Sequence, residues 1–213
     1  FHEETWAGWG KMGPSLEYFS RGLELGNQVY MQFDISTGRI RELPLKVLDM
    51  GTGQERYAWL SHGTSTSYEC VMPTVVEYLM RETGIRKTEL FEKFLPYSGM
   101  LNLDEVADID KAWEGVANLL NVELRTLREE VYPLTAIFAI AEHTRSLLFA
   151  LSDGALPSNV GGGYNLRVIL RRSLNFAQKF NWQIDFGKIF EEHARFLHEQ
   201  YPELKEHVDE VLE

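Results

Sequence analysis

Cysteine is nearly absent from this 213-residue chain, which holds Cys70 alone. One thiol closes no intrachain disulfide and builds no thiolate cluster for zinc, so the expectation is a reducing, cytoplasmic setting and no secretion. Positive charge is also scarce: 21 Lys and Arg against 32 Asp and Glu give a net charge of −11. A surface basic all over is thereby excluded, and any nucleic-acid site has to be local. No apolar run is free of charge over the length of a membrane span. The longest, from Leu134 to Leu151, is broken at its middle by Glu142, His143 and Arg145, where a bilayer tolerates charge least, so it reads as a buried helix. No signal-peptide pattern opens the chain, which starts at Phe1 in a Trp- and Gly-rich stretch and reads as an excised piece.

What is present is ordinary in amount: 44% hydrophobic, 12% aromatic and 25% charged residues, a composition that excludes disordered and low-complexity classes. From Leu23 to Phe33 the chain alternates, with Leu23, Leu25, Asn27, Val29, Met31 and Phe33 on one face, as in a strand with one buried side. Ser36-Thr37-Gly38 supplies turn chemistry, and Leu43, Leu45, Val47 and Asp49 share a face of a second strand, completing a hairpin. Beyond Gly53 the period becomes helical, punctuated by Gly84, Pro96 to Gly99, Pro133 and the Pro157 to Gly163 loop. The expected class is α+β, with a β portion over residues 1–65 and an all-α domain over 66–213.

Gly8-Trp9-Gly10-Lys11-Met12-Gly13 spells GxGxxG, but only seven residues precede it and no βαβ unit surrounds it, so it reads as a flexible loop and not as a dinucleotide turn. Asn27 and Asp49 are polar positions on the apolar faces of neighbouring strands. Either each bonds to backbone at a strand end, or carboxylate and amide oxygen together clamp a small ligand's ammonium. Met50-Gly51-Thr52-Gly53-Gln54-Glu55-Arg56 combines a close backbone approach with a cation in the first helical turn, which would suit phosphate but is also a common strand-to-helix junction.

Between Asp153 and Asp185 stand Arg167, Arg171, Arg172 and Lys179 with no acidic residue. Arg167 and Arg171 share a helix face, with Leu166, Ile169, Leu170 and Leu174 marking the buried side. Gly161-Gly162-Gly163 ahead of the helix leaves N–H groups that could meet phosphate, and Asn159 could address a base edge. Nucleic-acid binding and a solvated basic face both remain open on charge pattern alone. His193, His198 and His207 lack metal spacing, the first two standing about 140° apart on a helix, so they read as surface histidines. His143 reads as a satisfied core or interface residue, and Cys70 as a small buried apolar one.

Several of these motifs line up together. Trp6 to Gln32, through Gly8-x-Gly10-x-x-Gly13-Pro14 and Asn27-Gln28-Val29-Tyr30-Met31-Gln32-Phe33, resembles the alanyl-tRNA synthetases of archaeal type. Asp49 to Arg56 is similar to their motif 3. Ala141 to Arg145, Ser152 to Asn159 and Gly163 to Arg167 resemble their helical tRNA-recognition domain.

The resemblance implies that Asn27 and Asp49 hold the alanine ammonium and Gly51 lies against its small side chain. It implies that Gly51, Gly53 and Arg56 face ATP, with Arg56 on the phosphates as the catalytic cation. It further implies that Asn159 reads the wobble G·U pair of the alanine tRNA acceptor stem, Asn165 being the competing reader, with Arg167, Arg171 and Arg172 nearer the RNA backbone. ATP with Mg²⁺, alanine and tRNA(Ala) would be the ligands, and neither membrane nor DNA the partner. Motif 1, the motif 2 arginine, the editing domain with its metal-binding residues and the C-terminal dimerisation segment have no counterpart here. Inactivity of the isolated chain and no zinc are therefore expected. Trp9 stands where the family loop would carry more glycine. The alternative from another class is a non-catalytic RNA-binding module.

Overall fold

Two glycine-containing turns and one longer loop fold the first part of the chain into an antiparallel meander. The computed structural model describes residues 2–102 and 107–212. Strands β1 (His2–Gly8), β2 (Lys11–Ser20), β3 (Leu23–Asp34) and β4 (Arg41–Thr52) form a four-stranded sheet in the order β1-β2-β3-β4. Trp9 and Gly10 have φ of 49° and 72°, the left-handed pair that a two-residue hairpin turn requires. The GxGxxG stretch is therefore a hairpin and not the flexible loop expected: Gly8 closes β1, Trp9-Gly10 make the turn, and Gly13 lies inside β2. Gly13 is buried, and a Cβ there would run into the carbonyl oxygen of Tyr30. Only glycine lets the two strands approach this closely at the register shift between Met12 and Ser15.

The β3–β4 turn is closed by Asp34, whose Oδ1 accepts from the Ser36 hydroxyl at 2.6 Å and the Ser36 N–H at 2.8 Å, while Lys11 stands 3.2 Å from Oδ2. These bonds, those of Ser36 first, hold the Asp34 carboxyl down to about 2. The expected buried face is only partly realised. Val29 is buried at the sheet centre, but β4 is an open edge on which Leu45 is 74% and Met50 53% exposed. Pro44 and Lys46 interrupt that edge, as residues that discourage strand addition do.

After β4 come α1 (Gln54–His62), ended by Gly63 in the left-handed region, and α2 (Ser67–Val71). Cys70 is half-buried there, its thiol donating to the Ser67 carbonyl at 3.1 Å. The chain divides into two compact units between Val71 and Met72, somewhat later than the 65/66 boundary read from the sequence.

The second unit holds α3 (Pro73–Thr83), α4 (Glu89–Phe94), a 3₁₀ turn (Leu95–Leu101), α5 (Ile109–Leu120), α6 (Leu124–Ser152), α7 (Gly161–Lys179), α8 (Phe186–Leu197), α9 (Glu203–Glu206) and α10 (Val208–Leu212). Thr88, Asp108 and Asp185 cap α4, α5 and α8 with side-chain oxygens on first-turn N–H groups. Helix α6 is long and apolar enough to cross a bilayer, yet half of that stretch is buried inside the unit. Leu127, Leu134, Ile137, Ile140, Leu147 and Leu148 are fully buried along it, each Leu or Ile contributing about 1.5–3 kcal/mol by leaving water. Leu166, Ile169 and Leu170 of α7 pack on the cluster formed by Leu147, Leu148, Phe190, Ala194, Leu204 and Val208. Leu174, expected on that buried side, is 47% exposed; the helix face toward α6 rotates instead through Ser173 and Ala177, which are buried.

His193 is a second correction, because it is a core residue with 1% exposure and not a surface histidine. Thr144 Oγ donates to the Ile140 carbonyl at 2.7 Å, and His193 Nε2 stands in hydrogen-bond contact with it at 3.1 Å. Burial lowers its pKa from 6.5 to about 4, with the Arg145 charge acting the same way and a backbone bond to Ala141 opposing both. His143 is half-buried, and burial lowers its pKa too. For His193 the unfolded chain binds a proton that the folded chain refuses between pH 6.5 and about 4. Stability therefore rises with pH through that window and is lost on acidification, by up to about 3 kcal/mol. Urea midpoints followed by far-UV circular dichroism at pH 7 and pH 5 should drop for the native chain and drop markedly less for His193→Leu, whose own midpoint at pH 7 is lower.

Candidate functional site

Antiparallel register decides which residues of the sheet can act together, since directly paired residues share a face. Asn27 pairs with Gly51 and Val29 with Asp49, so Asn27, Gly51 and Asp49 lie on one face with the two polar side chains on the diagonal. The cluster expected from the motifs is thus assembled, but on an open surface. Asp49 is exposed and Asn27 half-buried, so the desolvated polar pair expected from strand periodicity is corrected to a solvent-facing one. Gly51 has a local reason to be glycine: a Cβ there would stand 3.1 Å from Asn27 Oδ1, tighter than an ordinary contact. Its missing side chain leaves room above the backbone beside the amide.

Strand β4 passes directly into α1, with Gly53 as the N-cap residue and its N–H bonded to the Leu25 carbonyl at 3.2 Å. Arg56 sits in the first turn of α1. Its Nη1 donates to the backbone carbonyl of Glu24 at 2.9 Å and to the Glu24 carboxylate at 2.8 Å. The cation is held against the end of β3 by residues that the motifs did not single out. Tyr57 and Tyr18 meet through their hydroxyls at 3.2 Å beside it, a bond that raises the Tyr18 pKa. Glu24 lies 32 residues before Arg56 in the chain, so only the fold reveals which cation it meets.

In the helical unit, α7 starts at Gly161, so the three glycines form its first turn instead of preceding it as expected. The loop before it is pinned by Ser158, whose N–H donates to the Gly163 carbonyl at 2.9 Å and whose hydroxyl donates to the Val160 carbonyl at 3.0 Å. Asn159 is exposed, and its Oδ1 accepts from Arg167 Nη1. Arg167 also stands over the Tyr164 ring, 5.9 Å from its centroid. Asn165, Arg171 and Arg172 are exposed. A groove of about 240 Å³ runs between Tyr164, Arg167, Val168, Arg171, Arg172 and Asn175. Lys179, grouped with these arginines in the sequence, lies away from the groove, over the rings of Tyr132 and Phe180. Among the described residues no group of three or more His, Cys, Asp or Glu is gathered. These side chains do not fit a protein-built metal cage.

A family profile described as tRNA synthetases class II (A) matches residues 7–213. The chain belongs to this class II tRNA synthetase family. It is 49% identical over 209 residues to the alanine–tRNA ligase of Methanocella arvoryzae, covering 97% of this chain and 24% of that protein. Against the alanine–tRNA ligase of Nitrosopumilus maritimus identity is 39% over 212 residues, 99% of this chain and 24% of the relative. Against that of Pyrococcus abyssi it is 34% over 230 residues, 100% of this chain and 25% of the relative. The chain thus spans about a quarter of the length of these relatives. Its antiparallel sheet followed by helices is the α+β arrangement of a class II synthetase fragment.

Gly51→Ala should push the Asn27 amide aside while leaving the β3–β4 pairing intact. In nitrogen–proton spectra the Asn27 side-chain resonances should move strongly, with those of Leu48 and Tyr30 little changed. Collapse of all β4 signals would instead mean that glycine is needed for the strand itself.

Proposed function

We propose that the chain is the part of an alanine–tRNA ligase that supplies one wall of the alanine and ATP site and grips the acceptor stem of tRNA(Ala). The observation that carries the second half is the Asn159–Arg167 pair at the head of an arginine-lined groove. Arginine has donors only, so the Asn159 oxygen faces it and the amide N–H₂ is left to point outward. Two outward donors suit the acceptor atoms of a base pair in the shallow minor groove, the face of an RNA duplex that side chains can read. Arg171 and Arg172 flank this point as cations for phosphate, and Asn165, near the start of α7, is the competing reader. In a chain of net charge −11, such a local cluster supports RNA contact better than a merely solvated face.

On the sheet, Asp49 and Asn27 would take the ammonium of alanine, and Gly51 would bound its methyl group. Arg56, steadied by Glu24, would meet the ATP phosphates beside Gly53. The work of these residues in activating alanine and passing it to the tRNA terminal ribose is positioning and charge stabilisation, with no side-chain nucleophile. Magnesium would arrive with the ATP phosphates and offset their charge. Cytoplasmic translation is the setting this implies, where a free thiol such as Cys70 stays reduced.

The test is binding to an acceptor-stem hairpin carrying G·U or G·C at the wobble position, titrated with salt. The native chain should prefer G·U. Asn159→Asp keeps the Arg167 bond but removes both donors, so it should abolish the preference, while Arg171→Ala should weaken both hairpins alike and lower the salt slope by about one unit. Equal, steeply salt-dependent binding of both hairpins by the native chain would leave only a basic face. In the full-length ligase, Asp49→Asn should abolish alanine activation and leave hairpin binding unchanged; retained activation would favour the RNA-binding module alone.

A further inference from the structure

A cavity of about 560 Å³ opens at the other end of α7, between the first turns of α6 and residues 179–180. It stands roughly 18 Å along the helix from Arg167, counting about 1.5 Å per residue. Neither the alanine and ATP wall nor the Asn159 groove uses it, and its volume is in the range of small-molecule sites.

Beside the Arg125–Glu129 ion pair at 2.6 Å, its lining combines three kinds of group. Tyr132 and Phe180 supply the aromatic part of the wall; behind it Trp182 stacks on Phe180 at 4.7 Å and the buried Trp113 stands edge-on to Tyr132 at 5.2 Å. The Lys179 ammonium lies 5.4 Å from the Tyr132 centroid and 5.6 Å from that of Phe180, and among the described residues no ion pair engages it. Arg128 bonds Asp110 through Nη2 at 2.6 Å and lies over Trp113, yet its Nε, though buried, has no hydrogen-bond partner. An acceptor completes the set, because Pro133 lies inside α6 and has no N–H to offer the carbonyl of Glu129 one turn back.

A bare anion would satisfy Lys179 and leave the rings and the Glu129 carbonyl unused, and an apolar molecule would cover the Lys179 ammonium with no counter-charge. A planar ring with donors, acceptors and an attached phosphate answers all three groups. We infer that this cavity binds a nucleotide, its base against Tyr132 and Phe180 and its phosphate on Lys179. The shared chemistry is that of a 5′-nucleotide, free or within a single RNA strand. The inference stands apart from the acceptor-stem reading, since no residue is common to the two.

The test titrates the full chain with cytidine 5′-monophosphate, cytidine, inorganic phosphate and a single-stranded cytidine tetranucleotide, following backbone amides and the Trp113 and Trp182 indole N–H signals. The monophosphate should shift Trp113, Trp182 and residues 124–133, with cytidine and phosphate each at least about tenfold weaker. Lys179→Ala, at an exposed position, should weaken binding about tenfold, and Lys179→Arg should restore most of it. A tetranucleotide that binds more tightly with the same Lys179 dependence identifies an RNA strand as the source; equal binding identifies a free nucleotide. Phosphate binding as well as the monophosphate, affinity indifferent to Lys179→Ala, shifts confined to residues up to Val71, or no binding at millimolar ligand would overturn the inference.

Discussion

Burial of α6 is the constraint on which the helical unit depends. A helix of 29 residues with this much aliphatic surface has no stable place in water unless α3, α5, α7 and α8 cover it, and covering it fixes where each of them stands. Leu166, Ile169 and Leu170 settle the rotation of α7, and that rotation turns Arg167, Arg171 and Arg172 outward on the side of Asn159. The buried Thr144–His193 bond locks α8 to the same helix from inside. Truncating Leu147 or Leu148 would cost about 2–5 kcal/mol and with it the placement of the groove.

The sheet follows a different logic. Its positions are fixed by backbone register and by close approaches where a side chain would not fit, as at Gly13 against Tyr30 and Gly51 beside Asn27. Asn27, Gly51 and Asp49 share a face because of pairing alone, whatever their burial. Arg56 is placed by the passage from β4 into α1 and then steadied by Glu24. Polar groups on such a platform keep access to solvent, which suits the capture of a small charged ligand.

Much of this was legible in the sequence. The alternation from Leu23 to Phe33, the turn at Ser36 to Gly38, the junction at Gly53 and the helical period thereafter all have local signals, and the structure contains each element. Strands β1 and β2 were hidden because Gly8, Gly10, Gly13 and Pro14 carry the chemistry of loops, while the contact that demands Gly13 comes from Tyr30, which is distant in sequence. His193 was misread for a similar reason: the apolar positions of α8 mark a buried stripe, but only packing against Thr144 shows that the histidine belongs to it. Grouping Lys179 with the arginines relied on charge order along the chain, whereas its direction is set by the rings of Tyr132 and Phe180. Tertiary partners cannot be deduced from spacing, and the Glu24–Arg56 bond is the plainest instance.

The central claim is that Asn159, oriented by Arg167, presents its amide donors to the acceptor stem. The most direct measurement is the nitrogen–proton spectrum of the Asn side chains during titration with the G·U hairpin and then with its G·C counterpart. The Asn159 Nδ2 protons should shift with G·U, show contacts to the minor-groove protons of that pair, and respond weakly to G·C. Movement of the Asn165 amide in its place, with Asn159 unchanged in both titrations, would contradict it.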